Sequence, residues 1–348
     1  MLPPHLWLDW WRPGLTARTA LLLPASWLFA VLIGFRRYLF RHGVLPSFSL
    51  DVPIIIVGNI TVGGTGKTPL VIALVDALRA AGCTPGVISR GYGGSSSSSD
   101  PIEVTALTSP EECGDEPLLI RQRTGVPVFV CRKRVAAAQA LRRSYQNVDV
   151  LVSDDGLQHL ALAGGIRLAV FDERGVGNGR LLPAGPLREP LSSLEGLTAL
   201  VCNGSEALLA RMAGLSGFAR VNPPAYRMQF SPGLAYQLIQ PDRLTPVASL
   251  AEKGLVAAVA GIGHPPRFFE TLEHAGLAFS RHPFPDHHLF SADDLEAIDA
   301  SVIMMTEKDA IKCKAFDDAR IWVLPVDAAL DPLLIARILE TLRGPKTA

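Results

Sequence analysis

The stretch Val52-Pro-Ile-Ile-Ile-Val-Gly-Asn-Ile-Thr-Val-Gly-Gly-Thr-Gly-Lys-Thr-Pro69 decides how the rest of the chain is read. Residues 52–57 are almost wholly apolar and end in Gly58-Asn59, the pattern of a short strand buried on both faces of a parallel sheet. Residues 69–81 put Leu70, Ala73, Leu74, Ala77 and Leu78 at helical i, i+3, i+4 spacing, and Gly82 stops the run. Between strand and helix lies Thr61-Val62-Gly63-Gly64-Thr65-Gly66-Lys67-Thr68, a G-x-x-x-x-G-K-[ST] phosphate loop with Thr61 in place of the first glycine. Glycines let backbone N–H groups approach phosphates, and a helix start adds partial positive charge. All eight residues, Thr61 to Thr68, are therefore expected at an ATP site, with Lys67 neutralising the β- and γ-phosphates and the Thr68 hydroxyl on Mg²⁺.

Outward from that loop, residues 84–89 read as a second strand, followed by Gly91, Gly93, Gly94 and the serines Ser95 to Ser99 as a flexible loop. Further strands are expected at 126–130, 148–153, 167–171 and 199–202, with a helix over 133–145. The prolines Pro223, Pro224, Pro232 and Pro241 then interrupt an alternating stretch, which reads as a hairpin or linker. A second series follows: strands at 255–261, 277–282, 302–305 and 321–324, helices at 266–275 and 293–300, and a closing amphipathic helix at 332–342. The expected fold is α/β: a P-loop NTPase-type doubly wound sheet, a second, smaller α/β lobe, and an N-terminal membrane-associated helix. Its expected divisions are 1–48 (membrane-associating segment), 49–222 (kinase core), 223–253 (linker or hairpin) and 254–348 (smaller lobe).

The first 48 residues differ from the rest, with five arginines (Arg12, Arg18, Arg36, Arg37, Arg41) against a single acid, Asp9. Residues 20–35 form a sixteen-residue apolar or small run, with Trp7, Trp10, Trp11, Trp27 and Tyr38 as interfacial aromatics around it. Spanning a bilayer core takes about 20 residues, so a helix lying on or dipping into the membrane, arginines toward anionic headgroups, is favoured over a spanning one. A signal peptide fits poorly, because tryptophans precede the run and no small-x-small cleavage site follows it. The whole chain has zero formal net charge, which offers nucleic acid no global field, and its five scattered cysteines lack zinc-site or disulfide-scaffold spacing. A reducing compartment fits best.

A metal at the phosphates needs more than one hydroxyl, and Asp154-Asp155 stand at the carboxyl end of the expected strand 148–153, where ligands collect in open α/β sheets. Adjacent acids on an extended chain point oppositely, so one is expected at Mg²⁺ and the other at substrate or a neighbouring loop.

Together with several other motifs, these residues resemble the tetraacyldisaccharide 4'-kinase family, the lipid A 4'-kinases of Gram-negative bacteria. The resemblance is carried by Gly58-Asn59 with residues 61–69, Ser89-Arg90-Gly91-Tyr92-Gly93-Gly94, Gly114-Asp115-Glu116-Pro117, Asp154-Asp155-Gly156-Leu157-Gln158-His159, the run from Gly177 to Pro190, Asp286-His287-His288, and Thr306-Glu307-Lys308-Asp309. It covers nearly the whole chain, and Thr61 matches the family's own missing glycine. It implies transfer of the ATP γ-phosphate to the 4'-hydroxyl of a tetraacylated glucosamine disaccharide 1-phosphate. The enzyme would work on this membrane-embedded lipid A precursor at the cytoplasmic face of the bacterial inner membrane, with membrane lipids as its other contact and no obligate protein partner evident. A lipid substrate stays in the bilayer, which suits the basic, tryptophan-rich N-terminus.

Asp115 is the expected proton acceptor for the sugar hydroxyl, presented from a loop between Gly114 and Pro117. The resemblance implies the same role, with a histidine of the second lobe tuning it; of His287 and His288, His287 is chosen. Arg188 is expected to bind phosphate, on ATP or on the substrate, and Glu189 to join the metal shell or hold Arg188. Glu116, Gln158 and His159 are further candidates for metal or nucleotide contacts, while Thr306 to Asp309 reads as a structural helix cap. Two rivals remain: a dimeric switch ATPase of the partitioning and nitrogenase type, disfavoured by Val62 where its loop carries lysine, and a membrane-docked nucleotide-binding module without transfer chemistry.

Overall fold

The computed structural model describes residues 4–91, 100–215 and 223–344. The serine-rich loop at 92–99 lies outside them. Nine strands form the larger sheet, in the order Val326–Leu330, Ala225–Pro232, Ala199–Asn203, Ile166–Asp172, Ile54–Gly58, Val150–Ser153, Pro85–Ser89, Val128–Val130 and Ile102–Glu103. The two outermost strands are antiparallel to their neighbours and all other pairings are parallel. Strand Ile54–Gly58 sits at the centre and shows why its residues are all apolar. Ile55 and Val57 enter one hydrophobic core while Ile54 and Ile56 enter another, so both faces are covered.

The smaller sheet runs Gln240–Thr245, Ala235–Gln237, Ile321–Leu324, Val302–Thr306, Val256–Ala260 and Ser280–Pro283, its last four strands parallel. It too has a core on each face. The α/β class, the central phosphate-loop unit and the second sheet thus match the expectation.

The division along the chain differs from it. Strand Ala225–Pro232 is an integral member of the larger sheet, and only the strands at 235–245 are a hairpin on the smaller one. After the smaller sheet the chain returns: Val326–Leu330 pairs with Ala225–Pro232, and Leu334 and Ile338 of helix Pro332–Arg343 bury in the core of the larger sheet. An amphipathic stripe specifies which helix side is buried, not the surface it meets. Helix 293–300 shortens to Ala292–Glu296.

The N-terminus forms helices Pro4–Trp10, Ala17–Leu21 and Leu23–Arg41, with Pro24 tolerated in the last one's first turn. Trp27, Leu28, Val31, Leu32, Phe35 and Tyr38 of that helix are exposed, whereas Ser26 faces inward and donates to the Leu181 carbonyl at 2.8 Å. By length and composition alone the helix could cross a membrane. Trp10 departs from the interfacial expectation. It is fully buried, its indole N–H donating to the Pro183 carbonyl at 3.0 Å, because a tryptophan with a satisfied N–H is as good a core residue as an interfacial one.

Candidate active site

The phosphate loop leaves the carboxyl end of strand Ile54–Gly58 and enters helix Lys67–Ala80 at Gly66. Gly66 has φ +98°, and a Cβ there would come within 2.6 Å of Asn203 Nδ2 and 2.7 Å of Phe230 Cζ, so no other residue fits. Lys67 Nζ donates to Asn59 Oδ1 at 3.1 Å and lies 3.4 Å from Asp155 Oδ1, which holds the ammonium at the mouth of the loop. A cavity of about 480 Å³ opens here. Gly64, Lys67 and Thr68 line it together with the apolar Met228, Phe230 and Phe268. A nucleotide needs both kinds of lining, donors for its phosphates and apolar surface for its base.

Thr61 and Val62 belong to a different contact. Val62 N–H donates to the Pro186 carbonyl at 2.9 Å, and Thr61 bridges to Leu187 with its side chain fully buried. The missing first glycine is explained: the chain there pairs with the loop at 186–188 and the nucleotide cavity begins at Gly64. Phe230 and Arg267 are site residues that sequence reasoning missed. Arg267 lies 4.4 Å over the Phe230 ring and donates to Asn203 Oδ1 at 2.7 Å, joining the second lobe to the wall of the cavity. The alternation Tyr226, Met228, Phe230 was the available signal.

Asp154 and Asp155 follow strand Val150–Ser153, and Asp155 leaves the extended conformation with φ +47°. Asp154 is buried; Ser89 Oγ donates to its Oδ2 at 3.3 Å, and its Oδ1 has no hydrogen-bond partner among the described residues. Burial, then the charges of Glu116 and Asp155, push this carboxyl well above the ordinary range. Burial would also raise Asp155, but Lys67 and Arg188, at 3.4 and 3.6 Å, and then Arg134 hold it below that range. Arg134 supports the turn, donating to the carbonyls of Asp154 at 3.2 Å and Asp155 at 3.1 Å.

An orphaned carboxylate oxygen among the charges of Glu116, Asp155 and Lys67 suits a hard cation, and Mg²⁺ characteristically keeps water and phosphate ligands and takes few from protein. Among the described residues there is no preassembled cluster of three or more acidic, histidine or cysteine side chains. Of the expected metal ligands, Glu116 lines the cavity but is held by Lys308 Nζ at 3.1 Å. Glu189 binds Arg37 of the N-terminal helix at 3.1 Å, not the metal site. Gln158 spends its amide on the Asn59 carbonyl at 2.9 Å, a supporting contact. Burial, then the cations Arg134, Arg36 and Arg90, push His159 down to about 4.

Asp115 opens helix Asp115–Thr124 instead of sitting on a loop; Gly114, with φ +86°, makes the entry turn. Its Oδ2 is 3.1 Å from His287 Nδ1 of the second sheet's loop, where His287 has φ +61°. His288 pairs with Asp294 at 3.1 Å, so of the two histidines it is His287 that faces Asp115. Burial would raise the Asp115 carboxyl, but the His287 hydrogen bond and the charges of Lys312 and Lys308 outweigh it and hold the group below the ordinary range. Lys312 is buried 4.0 Å from Asp115 Oδ2 and donates to Asp309 Oδ1 at 2.8 Å. Asp309 in turn accepts from Gly261 N–H at 3.0 Å and the Thr306 hydroxyl at 2.8 Å. The cap expected at Thr306 is present, and the same segment also feeds the site through Lys308.

Phosphate loop, strand-end acids and a carboxylate–imidazole pair brought together from two α/β sheets define the class: a P-loop phosphotransferase of two lobes. The tetraacyldisaccharide-1-P 4'-kinase family model matches residues 18–343, and the chain belongs to that family. It is 47 % identical over 329 residues to the tetraacyldisaccharide 4'-kinase of Dechloromonas aromatica, covering 94 % of each chain. Against that of Methylobacillus flagellatus it is 46 % identical over 340 residues, 97 % of this chain and 96 % of the other. The crystal structure of the "apo" form of LpxK from Aquifex aeolicus in complex with ATP superposes with TM-score 0.76 at 27 % identity, over 92 % of this chain and 98 % of that one. The switch-ATPase and non-catalytic alternatives are not favoured.

Proposed function

We propose that this protein transfers the γ-phosphate of ATP to the 4'-hydroxyl of a tetraacyldisaccharide 1-phosphate, with Asp115 as the proton acceptor. The observation that carries the assignment is the Asp115–His287 contact, made between the two lobes one residue from Glu116, which lines the same cavity as Lys67 and Thr68. Asp115 takes the hydroxyl proton as the oxygen attacks. His287 donates from Nδ1, orients the carboxylate, and forms its contact only when the lobes are together. Lys67 sits where β/γ-phosphate charge develops, and Arg188, beside Asp155, supplies a second cation to phosphate. Mg²⁺ would be held by the Thr68 hydroxyl and Asp154, where it would neutralise phosphate charge.

The exposed apolar side of helix Leu23–Arg41, with Arg36, Arg37 and Arg41 at its end, supports docking on the cytoplasmic face of the bacterial inner membrane at headgroup depth. The test follows radiolabelled γ-phosphate from ATP into the disaccharide lipid. Asp115→Asn should lose transfer by about 10²–10⁴-fold, the usual worth of a positioned base, while ATP affinity stays unchanged. Label released only to water by the wild type would refute the kinase assignment.

A further inference from the structure

In a planar trans peptide the carbonyl of one residue and the N–H of the next point in opposite directions. Three consecutive carbonyls of the phosphate loop are tethered by side chains. Asn59 Nδ2 donates to Gly63 O at 3.2 Å, Arg174 Nη2 to Gly64 O at 2.8 Å, and Asn203 Nδ2 to Thr65 O at 3.0 Å. The N–H groups of Gly64, Thr65 and Gly66 are thereby turned away from the tethers, and these three residues line the nucleotide cavity. Successive N–H groups aimed one way form an anion-binding nest.

The central tether has an unusual support. Arg174 Nε lies 3.0 Å from both Asp172 carboxylate oxygens and Nη2 reaches Oδ2 at 2.6 Å, fixing the guanidinium plane. That plane lies 4.4 Å over the Trp11 ring and 5.7 Å from Trp7. Nη1 is buried with no hydrogen-bond partner among the described residues, consistent with a group wedged for position. Trp7 and Arg174 leave no space on Gly63, where a Cβ would meet Trp7 Cη2 at 3.0 Å and Arg174 Nη1 at 3.3 Å. The tryptophans are themselves anchored by buried Trp10, whose carbonyl accepts from Asn178 N–H at 2.8 Å. The N-terminal segment therefore closes the outer side of the phosphate loop, through Arg174 and the Trp7 ring.

We propose that Arg174 is a positioning residue for phosphoryl transfer that aims the Thr65 amide into the phosphate site, and that Trp7 and Trp11 hold it there, so that seating of the N-terminal segment sets the loop's affinity for nucleotide. Its turnover readout rests on the kinase function proposed above. Its binding readout does not, because ADP affinity is measured without transfer.

The full-length protein would be compared with Arg174→Met, Arg174→Lys and Trp11→Leu by calorimetric titration with ADP and by initial rates. Losing a hydrogen bond from a charged donor weakens binding by about tenfold or more, so Arg174→Met should raise the ADP Kd and the KM for ATP by that factor. The KM for the disaccharide lipid should stay close to wild type, and any fall in kcat at saturating ATP should be smaller than the rise in the KM for ATP. Arg174→Lys should not rescue, since an ammonium cannot chelate Asp172, stack on Trp11 and reach the Gly64 carbonyl together. Trp11→Leu should weaken ADP in the same direction and add little to Arg174→Met, because both act on one contact. An unchanged ADP Kd in Arg174→Met would overturn the proposal, as would a fall in kcat matching a loss of folded protein with both KM values unmoved. Should Arg174→Met fail to fold, Trp11→Leu decides: unaltered ADP affinity overturns the link. A wild type that binds ADP yet transfers nothing would sink the kinase assignment alone.

Discussion

Asp115 carries a pH prediction whose sign follows from its surroundings. Because His287, Lys312 and Lys308 together outweigh burial, the folded carboxyl titrates below its unfolded value. The carboxylate, and the stability it contributes, is therefore fully present above the ordinary carboxylate range and is lost as pH falls through the lower folded value. Activity that needs this base should stay level from neutral pH down to that point. His287→Gln removes the charge-capable imidazole, so the acid limb of kcat/KM should move to higher pH, which a pH–rate profile would read; an unmoved limb would detach His287 from the carboxylate. Asp115 was legible in the sequence because Gly114 and Pro117 bracket an acid in a family motif. Lys312 was not: an acid and a lysine three residues apart read as a surface pair, and only the tertiary structure buries both Asp309 and Lys312. The Val62 contact was hidden for a related reason, since the motif fixes which residues form the loop but not which N–H groups a neighbouring loop already uses.

Among elements, helix Leu23–Arg41 was the more readable, because a long apolar run predicts a helix whatever surface it meets. Fully burying one Val, Leu or Phe side chain is worth about 1.5–3 kcal/mol, so several together suffice for reversible docking. Val31→Glu with Phe35→Glu, both on the exposed side, should cut binding to vesicles containing anionic lipid by more than about tenfold, since tenfold needs only 1.4 kcal/mol. Sedimentation measures it, and activity on substrate in detergent micelles should persist. Vesicle binding unaltered by the double substitution would require another docking surface. Strand Ala225–Pro232 was the harder element. It ends in Pro232, follows Pro223 and Pro224, and is only partly buried, all of which resemble a linker. Its place in the sheet depends on Ala199–Asn203 on one side and Val326–Leu330, about a hundred residues on, upon the other.

At the scale of the whole molecule, the two sheets meet through charged contacts that no local pattern could announce. Arg123, on the helix that starts with Asp115, binds both oxygens of Glu307 at 2.7 and 2.8 Å and also pairs with Asp327. Lys308 beside it reaches Glu116, and His287 reaches Asp115, so the Asp115–His287 contact is one member of a row across the same seam. Glu307 is buried, and burial already raises its carboxyl despite the opposing Arg123 charge. Arg123→Met leaves that carboxylate facing the seam with only the Val326 N–H, at 3.3 Å, to compensate. Breaking a buried pair from one side costs about 3–5 kcal/mol, and the partial exposure of Arg123 puts the expected loss nearer 2–3 kcal/mol in urea unfolding. With Arg123 gone the folded Glu307 carboxyl should rise further. A raised group gives stability that is present below its unfolded value and lost as pH climbs through the folded one, so the variant's deficit should be larger at pH 8 than at pH 5. Glu307→Gln in the same background should shrink the deficit and flatten its pH dependence, and a deficit equal at both pH values would show that the seam is held by packing instead of charge.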